Sequence, residues 1–306
     1  MPTEKSILFV CTANIFRSVS AEYCFKQYLS DHNITGWKVG SAGTTGEKYD
    51  MDPSLSEALA SCGVGNITHT QRKLSKEILD DYDIVVGMAQ NHIDFLASEF
   101  GYKNALLFDT LAIRKDTSVM DVDDDVPDWR NNHAGFVEKV KNTVSHIHEN
   151  TPGLFQNASE RFYLFSDLIS GEKTHRNGFP FISLYETPHT LAFMSSDIPE
   201  HADGHILIIP KKRFSDFSKI PVEVAQELFA TLSHIGRVIG ISHDGYNILL
   251  NNGIDAGQYI FHAHFHLVPR KHGDGIEIEK WNRSVVTPDE FIHFNEALKK
   301  EIASAI

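Results

Sequence analysis

The chain has 306 residues and a formal net charge of -13, from 28 Lys and Arg against 41 Asp and Glu. That length accommodates two cores of ordinary domain size. The acidic balance argues against nucleic-acid partners, so affinity for any anionic ligand would have to come from local groups. No targeting segment and no apolar run long enough to span a bilayer stands out, and three cysteines are present. A cytoplasmic protein in a reducing compartment, with no membrane partner, is the expectation.

Ser6-Ile7-Leu8-Phe9-Val10 is a short apolar run of the kind a buried parallel strand shows. It ends in Cys11-Thr12-Ala13-Asn14-Ile15-Phe16-Arg17-Ser18, and a helical pattern follows to about Leu29. Trp37–Val39, Asp83–Met88 and Ala105–Phe108 read as further strands alternating with helices. The first half is therefore expected to be α/β with a doubly wound parallel sheet. Asp121-Val122-Asp123-Asp124-Asp125 lacks the glycine and distant glutamate of a calcium-binding EF-hand loop and reads as solvated.

A helix then carries Phe136, Val137, Val140, Val144 and Ile147 on one face. Asn150–Ser159 is polar, contains Pro152 and Gly153, and reads as a boundary. Strands near Phe181–Tyr185, Thr190–Phe193, His205–Ile209, Asn247–Leu250 and Tyr259–Val268 follow, with an amphipathic helix Pro221–Ile239. This second half is expected to be α+β with an antiparallel sheet. The expected division is a first domain 1–149, a linker 150–162 and a second domain 163–306.

A Cys, five residues and an Arg between a strand and a helix wrap a phosphate dianion. Loop N–H groups and the helix N-terminus point at the phosphoryl oxygens, and the guanidinium grips two of them. The thiolate is the nucleophilic form of the sulfur. The spacing alone is weak, and a buried structural cysteine is the commoner outcome. Here, however, Asn14 and Ser18 are placed to brace the loop, and Ser41-Ala42-Gly43-Thr44, His69-Thr70-Gln71-Arg72 and Asp125-Val126-Pro127-Asp128 follow in order. Together these segments resemble the low-molecular-weight protein tyrosine phosphatase family over about residues 5–149.

The resemblance implies Cys11 as nucleophile, Arg17 as phosphate clamp, and Thr12, Ala13, Asn14, Ile15, Phe16 and Ser18 as the rest of the loop. It implies Asp128 as the acid that protonates the leaving oxygen and then activates water. Ala13, Phe16 and Val19 replace the family's Gly, second Cys and Pro, and Trp129 replaces the Pro after the acid. Ala13 would be strained if its position needs a positive φ. Arsenate reductases of this fold need a resolving cysteine pair, and the only cysteines here are Cys11, Cys24 and Cys62.

In His262-Ala263-His264-Phe265-His266 three imidazoles alternate with apolar residues, so an extended chain puts them on one side. Such a row offers a nucleophile, a proton shuttle or a zinc site. With the preceding Asn251-Asn252-Gly253-Ile254-Asp255-Ala256-Gly257-Gln258-Tyr259-Ile260-Phe261, and Gly204-His205-Ile206-Leu207-Ile208-Ile209-Pro210-Lys211-Lys212 upstream, it resembles the histidine-triad (HIT) family over about residues 163–275. The resemblance implies that His264 attacks the α-phosphate of a nucleotide, giving a covalent nucleotidyl-histidine that water splits. His262 and His205 would form a relay, His266 would contact phosphate and assist the leaving group, and Asn251 and Gln258 would donate to phosphate oxygens. Asp197 would hold the ribose. Arg213 stands where many members have His, and Tyr259 where a small hydroxyl residue is usual. Hydrolysis is favoured over nucleotidyl transfer because the third triad position is His266.

The two resemblances imply a bifunctional hydrolase acting on phosphotyrosine or a small phosphomonoester and on a nucleotide. No cofactor and no metal are expected; HIT relatives often pair as dimers, which implies a homodimer through the HIT-like half. The competing expectation is a HIT hydrolase whose first half binds phospholigands without catalysis.

Overall fold

The computed structural model describes residues 4–304 apart from 48, 66, 127 and 279–286, so Pro127 of the expected acid motif lies outside the described residues. In the first half, β1 (Lys5–Cys11), β2 (Trp37–Gly43), β3 (Ile84–Gly87) and β4 (Leu106–Leu107) form a parallel sheet in the order β2-β1-β3-β4. Ile7, Leu8, Phe9 and Val10 are all fully buried because both faces are covered. Ile7 and Phe9 meet one core, Leu8 and Val10 the other, as the two-residue period requires. Helices α1 (Arg17–Asp31) and α2 (Pro53–Ser61) cover the first face, and α3 (Lys76–Asp80) and α4 (Gln90–Phe100) the second. Next, α5 (Phe108–Ile113), the short α6 (Val122–Asp125) and α7 (His133–Ser170) return to the first face.

The segment expected as a linker is helical throughout. Residues 150–162 lie inside α7, which runs unbroken for 38 residues. Pro152 removes the N–H that would bond the His148 carbonyl, but side chains take up the neighbouring carbonyls. Asn150 Nδ2 donates to the His146 carbonyl at 2.7 Å and Thr151 Oγ1 to that of Ile147 at 2.8 Å. Gly153 is a contact residue and not a break: a Cβ there would lie 2.5 Å from the Ala112 carbonyl oxygen of α5. Asn157 Nδ2 donates to the Leu111 carbonyl at 2.8 Å, capping α5 from outside. The polar composition that reads as a loop is thus a set of backbone partners facing another helix.

The second half opens with a two-stranded hairpin of β5 (His175–Arg176) and β6 (Phe179–Pro180). A five-stranded antiparallel sheet follows, built from β7 (Ser183–Glu186), β8 (Thr190–Met194), β9 (Ile206–Pro210), β10 (Gly245–Leu250) and β11 (Phe265–Arg270) in the order β10-β11-β9-β8-β7. Helix α8 (Val222–Ser242) lays Leu228, Leu232 and Ile235 on Ala192, Ile206, Ile208, Phe265 and Leu267. The expected strand Tyr259–Val268 starts only at Phe265. Before that point the backbone bonds elsewhere: Phe261 N donates to the Arg161 carbonyl of α7 and Ala263 N to that of Phe214, each at 2.6 Å. The alternation survives, with Ala263, Phe265 and Leu267 in the core under α8.

The two halves are joined by more than the chain. Phe261 is fully buried, stacks on Phe162 at 4.7 Å and belongs to the core of the first half. Tyr163 Oη accepts from Ser6 N at 2.8 Å and donates to Asp83 Oδ2 at 2.9 Å. Arg213 also donates to Asp83, and Lys5 pairs with Asp167 at 2.8 Å. Among the described residues no helix is long and apolar enough to cross a membrane. Phe261→Ala should cost about 3–5 kcal/mol. Denaturant unfolding followed in both halves should show the first half destabilised along with the second; a loss confined to the second would contradict the shared core.

Candidate active sites

The turn from β1 to α1 carries Cys11 at its start and Arg17 at its end. Cys11 Sγ is 2.9 Å from Ser18 Oγ, and Asn14 Nδ2 donates to Ser18 Oγ at 3.1 Å, which leaves the Ser18 proton for the sulfur. Asn14 Nδ2 also reaches Ser41 Oγ at 2.7 Å, and Ser41 donates in turn to Glu22 at 2.5 Å. The Asn14 Oδ1 accepts from Arg72 N at 2.9 Å, and its carbonyl meets His69 Nε2 at 2.9 Å. Gln71 donates to the Ala13 carbonyl. The left-handed residue of the loop is Asn14, at φ 56°, so the strain expected at Ala13 does not arise. Gly43 is required by closeness, since a Cβ there would meet the Thr12 carbonyl oxygen at 2.7 Å. Glu22, a buried carboxylate on α1, is a member that sequence reasoning missed, because its partner Ser41 comes from another element.

Above this loop lies a cavity of about 460 Å³ whose lining includes Cys11, Arg17 and the aromatic rings of Phe16, Tyr49, Trp129 and Phe136. Asp121 and Asp123 line it, and Asp128 does not. Asp121 pairs with Arg17 directly, while Arg17 Nη1 donates to the Val119 carbonyl at 3.1 Å. Asp128 is exposed and left-handed at φ 53°, and its carboxylate accepts from Asn131 Nδ2 at 2.8 Å. Asn131 N and Asn132 N donate to the Asp128 carbonyl at 2.9 and 3.0 Å, closing a turn that points this side chain outward.

In the second half, His264 Nδ1 is 2.7 Å from the His262 carbonyl oxygen. A carbonyl only accepts, so Nδ1 carries the proton and Nε2 the lone pair. His262 Nε2 likewise donates to the Pro210 carbonyl at 2.7 Å, leaving its Nδ1 buried without a partner among the described residues. His205 Nδ1 donates to the Asp197 carbonyl at 2.6 Å; its Nε2 then accepts from His266 Nδ1 at 2.9 Å. His266 Nε2 is left as a buried lone pair with no partner among the described residues. Burial pushes His262 and His266 down to about 3 and holds His264 below the ordinary imidazole range. All three rings are neutral at pH 7. Phe165 of α7 sets its ring against His262 and His264, with centroids 5.6 and 5.3 Å apart.

Several implied roles fall differently. The group that fixes the tautomer of His264 is the backbone carbonyl of His262, and the ring of His205 engages His266 instead. Gln258 is committed within its own loop: its Nε2 donates to the Ser215 and Ile260 carbonyls at 3.0 and 3.2 Å, and its Oε1 accepts from Gly253 N at 2.8 Å. It has no donor left for phosphate. Asn251 is half-buried beside Gly257, where a Cβ would lie 3.7 Å from Nδ2. Asp197 pairs with Arg176 of the β5–β6 hairpin at 2.9 Å, next to an apolar cavity of about 300 Å³ lined by Phe165, Phe181, Phe193, Ser195 and Ile198 among others. Among the described residues no cluster of three or more His, Cys, Asp or Glu is arranged to hold a metal ion.

The low molecular weight phosphotyrosine protein phosphatase model matches residues 6–161, and the HIT domain model matches residues 179–273. The first of these ends inside α7. A HIT-like protein of Methanocaldococcus jannaschii is 37% identical over 116 residues, covering 37% of this chain and 81% of that protein. An adenosine 5'-monophosphoramidase of Candida albicans is 31% identical over 153 residues, covering 48% of this chain and 95% of that protein. A solved low molecular weight protein tyrosine phosphatase from Bacillus subtilis is 25% identical, covering 49% of this chain and 95% of that one at a TM-score of 0.42. The chain therefore belongs through its first half to the low molecular weight phosphotyrosine protein phosphatases and through its second to the HIT family, both of them families of hydrolases.

Proposed function

We propose that the chain is a bifunctional hydrolase, a cysteine-dependent phosphomonoesterase joined to a nucleotide hydrolase that acts at an α-phosphate. The observation that carries this reading is that each half holds one candidate nucleophile fixed by a hydrogen bond. In the first, the Ser18 hydroxyl donates to Cys11 Sγ beside Arg17. In the second, the His262 carbonyl keeps the His264 proton on Nδ1 and frees Nε2.

Cys11 Sγ attacks phosphorus and the phosphoester P–O bond breaks, with Arg17 spreading the charge on the phosphoryl oxygens. The Phe16, Tyr49 and Trp129 rings favour an aromatic ester such as phosphotyrosine. The acid role remains with Asp128, which follows the family pattern and adjoins Trp129 on the cavity wall. It must turn inward from Asn131 to act. In the second half, His264 Nε2 attacks the α-phosphorus as the bond to the leaving group breaks; water protonates that group, and the hydroxide so formed splits the nucleotidyl-histidine beside His266. The apolar cavity beside Phe165 and Phe193 would take the base, and Asp197, once released by Arg176, the ribose. A nucleoside phosphoramidate, the substrate class in the name of the Candida relative, is the first candidate.

One observation favours the second reading, a phospholigand-binding first half: Arg17 is already paired with Asp121. Hydrolysis of p-nitrophenyl phosphate by the full chain beside Cys11→Ser decides between them. Loss of on the order of 10³-fold or more in the variant is expected, whereas no Cys11-dependent turnover would leave the binding reading. Because phosphate must displace Asp121 from Arg17, Asp121→Asn should lower KM severalfold. Asp128→Asn should instead lower kcat, most with poor leaving groups; an unchanged leaving-group dependence would remove Asp128 from the acid role. His264→Ala should abolish hydrolysis of an adenosine 5'-phosphoramidate and spare the phosphatase. Since burial lowers the His264 pKa, Nε2 stays unprotonated above the ordinary imidazole range. The rate should therefore be flat from about pH 6.5 to 8 and decline only on the acid side; an acid limb above pH 6.5 would refute this.

A further inference from the structure

His92 stands in the first turn of α4, outside every motif of the phosphatase half, and is 1% exposed. Its Nδ1 is 2.9 Å from Ala89 N. A backbone N–H only donates, so Nδ1 is an acceptor and the ring proton is on Nε2. Nε2 lies 3.1 Å from Thr12 Oγ1, which makes the imidazole the donor and the threonine oxygen the acceptor. Burial first, and then the Arg17 cation, push His92 down to about 3. The ring is thus a neutral donor whose tautomer does not change across the physiological range.

Thr12 lines the cavity above Cys11, and its Oγ1 is also 3.4 Å from Arg17 Nη2. With its oxygen facing His92 and Arg17, the hydroxyl is left to point its own proton elsewhere. The turn that carries His92 holds Arg17 by a second route. Val119 N donates to the Met88 carbonyl at 2.8 Å, and the Val119 carbonyl accepts from Arg17 Nη1 at 3.1 Å.

We propose that His92 is a positioning residue of the phosphate site: by donating to Thr12 Oγ1 it turns the Thr12 hydroxyl proton toward a phosphoryl oxygen and keeps Arg17 Nη2 aimed at the same group. It does this without touching phosphate. The proposal rests on the assignment of Cys11–Ser18 as a phosphate loop. A neutral imidazole suits the position, because a second fixed cation here would oppose Arg17.

Two substitutions separate positioning from folding. His92→Asn keeps an amide oxygen near the place of Nδ1, so the bond to Ala89 N survives, but it is too short to reach Thr12. His92→Gln carries an N–H near the place of Nε2. Inorganic phosphate is titrated into the full chain and followed by phosphorus NMR. The Asn variant is expected to weaken binding about tenfold, the effect of one hydrogen bond, and the Gln variant to recover most of it. In a Thr12→Val background the Asn substitution should have little further effect, and kcat/KM for p-nitrophenyl phosphate should follow the same pattern. Equal weakening in both backgrounds, or full affinity in His92→Asn, overturns the proposal, as does a wild-type chain that binds no phosphate. Phosphate binding with this coupling but no Cys11-dependent turnover would sink the phosphatase reading alone.

Discussion

Everything in this molecule depends on one helix being buried twice. From Val140 to Phe162, α7 supplies Val140, Val144, Ile147, Leu154, Ala158 and Phe162 to the core beneath the parallel sheet. Immediately beyond, Leu164, Phe165 and Leu168 enter the core beneath the antiparallel sheet. Each such side chain is worth about 1.5–3 kcal/mol when fully buried, and most helical stability comes from tertiary packing of this kind. Neither half therefore has its full core without the helix. Phe261 repeats the arrangement in reverse, since it precedes the histidine row and packs in the first half's core.

The departures of the second half from its family's pattern cluster where the fusion touches it. Arg213, standing where His is common, donates to Asp83 of the first half and to the Phe261 carbonyl at 3.4 Å. Burial pulls its pKa down to about 10, still far above neutrality, so it remains a cation facing a carboxylate. Tyr259, in place of a small hydroxyl residue, lies under the guanidinium of Arg161 on α7, 4.9 Å from it. Both side chains thus contact the first half or α7 close to the segment that leads into His262.

The two candidate nucleophiles are held by different means. Sulfur is served by side chains drawn from separate elements: Ser18 from α1, Asn14 from the loop and Ser41 from β2, with Glu22 behind them. Nitrogen is served by main-chain carbonyls of His262 and Pro210, which cannot change protonation state and so hold each tautomer without being titrated themselves. The first solution needs many chemically specific residues in register, the second mainly a backbone path.

That difference explains what was legible. Buried parallel strands announce themselves as apolar runs, and Ile7–Val10 did; alternating imidazoles announce a common face, and His262, His264 and His266 did. Both families could be recognised from short ordered motifs because the chemistry demands those residue types at those spacings. Pro152 and Gly153 misled because their local propensity says break, whereas a carbonyl of α5 packed against Gly153 and side-chain donors near Pro152 make a helix the better state. His92, Glu22 and the Asp121–Arg17 pair left no trace in sequence spacing, since each partner comes from a distant element. The chain by itself determined the two architectures and the family of each half, through periodicity and short ordered motifs that are local properties. Tertiary structure alone decided which carboxylate meets Arg17, which nitrogen of each histidine carries its proton, and that one helix belongs to both cores, because these depend on groups far apart in sequence brought within hydrogen-bonding and packing distance.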